Sequence, residues 1–254
     1  MEWGTFTITH ILSLLLGAAI IIGLYFALKH RTEKTQTIVL GILSFAGIAA
    51  IIFNLVVWDS PIEYLPLHLC SLNAMLLPIV VFTRNKHLGN LLILWSIGAL
   101  AALVLNTSVA AAEITSWVFV FYYFPHVLEF GIPIILLKLK LIKLDKKCIW
   151  STLGITLGAY IVIHFINVLI NQYCIVHNIL DWKGEVVQVN YMFSISHEGN
   201  PLLKFFYDLI PYQFWYMLLC LPIALVYLLA IYGSYEIYKK IRYGKNGEKE
   251  KNKV

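Results

Sequence analysis

Charge is what this sequence has least of. Asp, Glu, Lys and Arg make up 13% of the 254 residues, against about 25% in an average soluble domain. A chain so short of charge cannot clothe an ordinary water-facing surface, which excludes a soluble globular protein. Cysteine is scarce as well. The four, at 70, 148, 174 and 220, form no CxxC pair, so no disulfide framework is implied. There is no HxxxH spacing either, hence no sequence-local metal signature. No glycine-rich phosphate loop, no pair of haem histidines on one helix and no internal repeat is visible. No cofactor is expected. The net charge of +5 requires no nucleic-acid partner, because the basic residues follow a pattern of their own.

What is present is hydrocarbon. Hydrophobic residues make up 60% of the chain, and the mean hydropathy is +0.78. A membrane-crossing helix needs roughly 20 mostly apolar residues. Seven segments qualify: about 8–28, 37–57, 64–82, 88–106, 115–137, 149–171 and 209–236. The expected fold is all-α, a polytopic bundle of seven transmembrane helices. The first segment is too long and too well flanked for a cleaved signal peptide.

Lys and Arg collect in alternate connections: Lys29, Arg31 and Lys34; Arg84 and Lys86; Lys138, Lys140, Lys143, Lys146 and Lys147; and the tail from Lys239 to Lys253. Only Lys183 and Lys204 fall elsewhere. By the positive-inside rule the N-terminus is outside and the C-terminus cytoplasmic. Residues 1–238 read as the membrane domain and 239–254 as a disordered basic tail. The Lys-, Ile- and Asn-rich usage fits a bacterial inner membrane. The long outer connection, 172–208, is rich in aromatic and branched residues and is expected to fold back as a cap. Trp58, Trp117, Trp182, Tyr64 and Tyr212 read as an aromatic belt.

Against this background, polar groups inside the spans stand out. "PLHLCSLNAMLLPIV" (66–80) carries His68, Cys70, Ser71 and Asn73. At ~100° per residue, Cys70 and Asn73 lie about 60° apart, while His68 points away unless Pro66 disturbs the first turn. In the fifth span, Tyr122, His126 and Glu129 share one face at i, i+4 and i+7, and Pro125 and Pro133 suggest a kink. A carboxyl at that depth costs ~2.5–3.5 kcal/mol or more and is a functional hypothesis by default. In the sixth span, His164, Asn167 and Asn171 share a face. Asn54, Asn106, His10, Asn190 and Tyr191 lie towards the same side. One polar cavity, opening outward beneath the long loop, is expected.

A thiol beside an imidazole suits covalent acyl transfer. Cys70 is the candidate nucleophile and His126 the base, with Glu129 or Tyr122 orienting the ring. Asn73, Asn167 or a backbone N–H is the candidate oxyanion donor. His68, His164, Asn171 and Asn190 complete the candidate substrate-facing set. Three other readings stay open. Cys, His and Asn can simply join helices. A zinc site could use His68, Cys70, His126 and His164. The cavity could also bind a lipid or small solute without chemistry, as a transporter or receptor does.

Finally, "LPLHLCSLNAMLLPI", "YYFPHVLEFGIP", "HFINVLIN" and "NYMF" resemble the bacterial YwaF-like membrane proteins, relatives of the animal transmembrane protein 164 family. The resemblance covers nearly the whole chain. It implies acyl transfer between phospholipids and lysophospholipids, with membrane lipids as the partners. It also implies a catalytic His at His126 and a Cys within "LHLCS". Cys70 is the candidate there, with His68 two residues away as the other possible occupant of the key position.

Overall fold

The structure is a computed structural model. It describes residues 1–105 and 109–251, with side chains in the last helix up to 237 and at 240. Asn106 and residues 252–254 lie outside the described ones. The described chain is helical, with two isolated β-bridges and no strand. Its α-helices are α1 Ile8–Leu28, α2 Glu33–Ser44, α3 Ala46–Val57, α4 Leu69–Thr83, α5 Lys86–Val104, α6 Trp117–Lys138, α7 Ile149–His177, α8 Pro201–Leu209 and α9 Cys220–Lys251.

Six segments of the described residues are long and apolar enough to cross a membrane. They are Ile8–Leu28, Glu33–Val57, Lys86–Val104, Trp117–Lys138, Lys146–His177 and Trp215–Ile237. The chain is therefore a multi-pass membrane protein. The segment expected at 64–82 differs. Its helix α4 has 15 residues and spans about 22 Å at ~1.5 Å per residue, short of the ~30 Å hydrocarbon layer. The lost turn has a local cause. Pro66 disfavours helical backbone at Leu65, which is extended at φ −56° and ψ 142°. His68 is extended too, at φ −75° and ψ 155°, and caps α4 from outside the helix. The helical-wheel argument for His68 therefore does not apply.

Two other boundaries shift. Phe45 interrupts the second span and divides it into α2 and α3. At the far end of the chain, α7 runs on to His177 and stops at left-handed Asn178, φ 49°. The long connection thus begins at 178 rather than 172, and it contains α8. Beyond it, α9 carries the backbone of the basic tail as far as Lys251.

The central element is α6, which packs against α1, α2, α3, α4 and α5. Its two prolines sit inside one continuous helix. At Gly131 the close approach is essential, because a Cβ there would stand 2.5 Å from Ile21 of α1. Helices α4 and α6 run in the same direction. The end of α4 leads through Asn85 into the start of α5, and the start of α5 holds the chain just beyond α6. There Asn90 donates to the Lys143 carbonyl at 3.1 Å and accepts from the Asp145 N–H at 3.1 Å. Lys86 pairs with Asp145, and Tyr232 of α9 also reaches Asn90. At the opposite end, buried Trp3 donates its backbone N–H to Ala112 at 2.9 Å. There His10 of α1 meets the last turn of α5.

Candidate functional site

Among the described residues the candidate polar groups fall into two hydrogen-bonded sets, with His10 in a third corner of the bundle. The first lies where α3, α4 and α6 meet. Cys70 and Ser71 occupy the first turn of α4, where backbone N–H groups lack helical partners. The partly buried Cys70 thiol neighbours the Ser71 hydroxyl and the N–H groups of Cys70 and Ser71, and it lies within electrostatic reach of Glu129. One turn deeper, fully buried Asn73 donates to the backbone carbonyl of Glu129 at 3.5 Å. That carbonyl is available because Pro133, four residues on, has no N–H to give it. The proline placed deep in α6 thus creates the acceptor that ties α4 to α6.

The same contact sets the register. Asn73 stands level with Glu129, and the helices run parallel. One turn back on each, Cys70 and His126 come to the same depth. His126 is buried, and its Nδ1 lies 2.6 Å from the carbonyl of Tyr122. A carbonyl only accepts, so Nδ1 carries the proton and Nε2 presents a lone pair. Tyr122 therefore orients the imidazole through its backbone, while its hydroxyl donates to Ala102 at 3.0 Å. The Tyr122 and His126 rings lie 4.3 Å apart between centroids. Among the described residues no hydrogen bond joins Cys70 to His126.

Glu129 faces α3 through Gly47. A Cβ at Gly47 would sit 2.5 Å from the Ala74 Cβ and 2.7 Å from Glu129 Oε1, so only glycine admits the carboxyl. Nothing in the spacing of α3 announces this role for Gly47.

The second cluster joins α7 to the cap. Asn167 donates to the Tyr191 carbonyl at 2.8 Å and to Ser194 Oγ at 2.8 Å, and it accepts from the Tyr191 N–H at 3.0 Å. Asn171 exchanges a reciprocal pair with Val189, at 2.9 and 2.7 Å. His164 Nδ1 meets Ser194 Oγ at 3.0 Å. Asn190 folds the loop on itself, accepting from Ile195 at 2.8 Å and donating to Glu198 at 2.7 Å. His68 receives the Met192 N–H at 3.4 Å. Met192 and Phe193 both hold positive φ, 54° and 55°, a strained pair for side-chain-bearing residues. Tyr216 braces them by binding the Phe193 carbonyl. The amides of Asn167, Asn171 and Asn190 are thus committed to loop backbone. Ser194, fully buried at the centre, carries no sequence signal, since a serine in a polar loop is ordinary.

A Cys–His contact does exist at the basic-loop end, where Cys148 Sγ lies 3.7 Å from His87 Nδ1. Among the described residues no three His, Cys, Asp or Glu side chains come together to hold a metal ion. His68 meets the cap at Tyr191, Met192 and Phe193, and His164 of α7 meets it at Ser194. A surface groove lined by Ile210, Tyr212, Trp215, Leu218, Leu219 and Pro222 is apolar and contains none of the candidate residues.

Comparison with curated proteins and with solved structures returns no match. The pattern of the TMEM164 family, however, matches residues 5–232, a stretch that includes both clusters and every helix from α1 to the middle of α9, and the chain belongs to that family.

Proposed function

We propose that this protein is a membrane-embedded lipid acyltransferase with Cys70 as nucleophile and His126 as base. The observation that carries the reading is the His126 tautomer. Nδ1 is occupied by the Tyr122 carbonyl at 2.6 Å, so the free Nε2 lone pair is available at the depth of Cys70. Cys70 Sγ attacks the ester carbonyl of a phospholipid and passes its proton to Nε2. Backbone N–H groups in the first turn of α4 receive the developing oxyanion. The C–O bond breaks, the leaving lysolipid oxygen takes the proton, and the acyl group stays as a thioester on Cys70. A second lysolipid hydroxyl gives its proton to Nε2 and attacks the thioester. The Cys70 sulfur leaves and recovers that proton.

The setting is part of the proposal. Helix α4, with the extended residues before it, makes a seventh crossing. The N-terminus is outside, the basic loops are cytoplasmic, and the site lies in the outer half of a bacterial cell membrane, as in a YwaF-like branch of the family. Phospholipid and lysophospholipid are the partners.

A second reading rests on the lack of a hydrogen bond between Cys70 and His126. In that reading the same cluster binds a lipid or small solute and does no chemistry. One experiment separates the two. Purified protein is incubated with phospholipid extract and examined by intact mass spectrometry, with Cys70→Ala and His126→Gln alongside. The expected result is a hydroxylamine-sensitive acyl adduct in the wild type and none in Cys70→Ala. In His126→Gln its formation should slow by about 10²–10⁴-fold. No adduct in the wild type, with lysolipid levels unchanged, would overturn the enzyme reading in favour of a binder.

A further inference from the structure

Among the described residues, three buried side-chain oxygens lack a hydrogen-bond partner: Asn73 Oδ1, Glu129 Oε2 and Thr152 Oγ1. Thr152 is a lone hydroxyl on α7. The other two belong to one contact. The Asn73 amide lies against the Glu129 carboxyl and also reaches its backbone carbonyl at 3.5 Å. Asn73 is fully buried and Glu129 is 3% exposed. A native structure pairs nearly all such groups, so two orphaned acceptors on residues in one contact require a cause.

The surroundings narrow it. α3 contributes Gly47 and no titratable group. On α4 the nearest titratable group is Cys70. On α6 it is His126, one turn away, and His126 donates to Tyr122 instead. α1 presents Ile21 to this helix. Among the described residues the ion pairs are Arg84 with Glu33, Lys86 with Asp145 and Lys204 with Asp208; none reaches Glu129. An ionised carboxylate there would be a buried charge with one amide donor and no positive partner, which is strongly unfavourable. Both orphaned atoms are acceptors, so the missing partner is a donor or a positive charge. A hard metal cation takes about six or more oxygen ligands, and only two oxygens lack partners here.

We infer that Glu129 and Asn73 form a proton-holding site. Glu129 is a neutral carboxylic acid whose O–H is donated to the Asn73 amide oxygen. One proton then removes the uncompensated charge and supplies the missing donor. Gly47 leaves the room that the acid occupies. This goes beyond the acyl-transfer reading and does not depend on it.

Infrared spectroscopy of the full chain in lipid nanodiscs tests the inference. At neutral pH the wild type should show a carboxylic-acid C=O band that shifts in D₂O. Glu129→Gln should lose this band while keeping its helical content and melting temperature, because the Gln amide also donates to Asn73. Asn73→Leu should shift the band upward by removing the acceptor. If Glu129→Gln does not fold, the wild-type band and its shift in Asn73→Leu carry the test. A missing band at neutral pH would mean a charged carboxylate and would overturn the inference. So would a band indifferent to Asn73→Leu. A rise in melting temperature with Na⁺ that Glu129→Gln abolishes would put a metal cation where we place the proton.

Discussion

The corner around His10 and the contact between Glu129 and Asn73 are both buried polar clusters in an apolar bundle, yet they are built differently. At His10 each ring nitrogen has one assigned role. Nδ1 accepts from the Phe6 N–H at 2.9 Å, so Nε2 donates to the Leu103 carbonyl at 2.8 Å. The adjoining indole of Trp3 donates to Ser13 at 2.8 Å. Each of these groups has its partner. Among the described residues two acceptors at Glu129 and Asn73 remain unpaired, and none of those residues bonds the Nε2 of His126 alongside. Polar residues that are fully satisfied hold helices together. Those that are incompletely satisfied next to a thiol are where chemistry or ligand binding is expected. The Asn167 network is of the first kind, although its helical spacing made it look like the second.

That distinction predicts which substitutions hurt the fold. Asn167→Leu should have the largest effect. It removes three hydrogen bonds between α7 and the cap, and at ~1 kcal/mol each the loss is about 3 kcal/mol. Thermal unfolding in detergent would show it, together with faster protease cleavage in 178–200. A melting temperature equal to wild type would place Asn167 among the functional groups and break the comparison. His10→Leu comes next. It removes two bonds and an edge-on contact with Trp3 at 5.4 Å, for about 2 kcal/mol. Acyl-adduct formation, if present, should survive at temperatures where the variant stays folded. Loss of the adduct in a folded variant would show that His10 is more than a brace.

The membrane-crossing pattern was legible because hydrocarbon thickness imposes one length on every span. It misplaces the start of α4, where the Pro66 effect on Leu65 is a backbone constraint that hydropathy does not register. It also stopped too early at α7. Apolar residues there run beyond the length of a span, and left-handed Asn178 supplies the actual stop. The packing of the candidate site was half legible. Tyr122, His126 and Glu129 were marked by rarity, since polar groups at depth are few. The fate of the asparagines was not legible, because an amide facing a cavity and one facing a loop carbonyl look alike in sequence. The Pro133 signal was present but needs three-dimensional context. A freed carbonyl four residues back matters only if a donor such as Asn73 faces it.

The smallest effect is expected at the basic-loop end, which extends the comparison to a polar contact in water's reach. Hydrogen bonds from Lys86 and from the Lys147 N–H hold the Asp145 carboxyl below the ordinary carboxylate range. A depressed folded-state value has one sign. The contribution is fully present above the unfolded value of about 3.9 and is lost as pH falls through the lower folded value. The contact is exposed, so salt screens it. Melting temperature measured against pH should therefore show a shallow acid-side decline that weakens in high salt, and Asp145→Asn should flatten it. An unchanged acid slope in Asp145→Asn would move that titration to another carboxylate. Asn90, which holds the Asp145 N–H at 3.1 Å, would then be left as the lock between α5 and the end of α6.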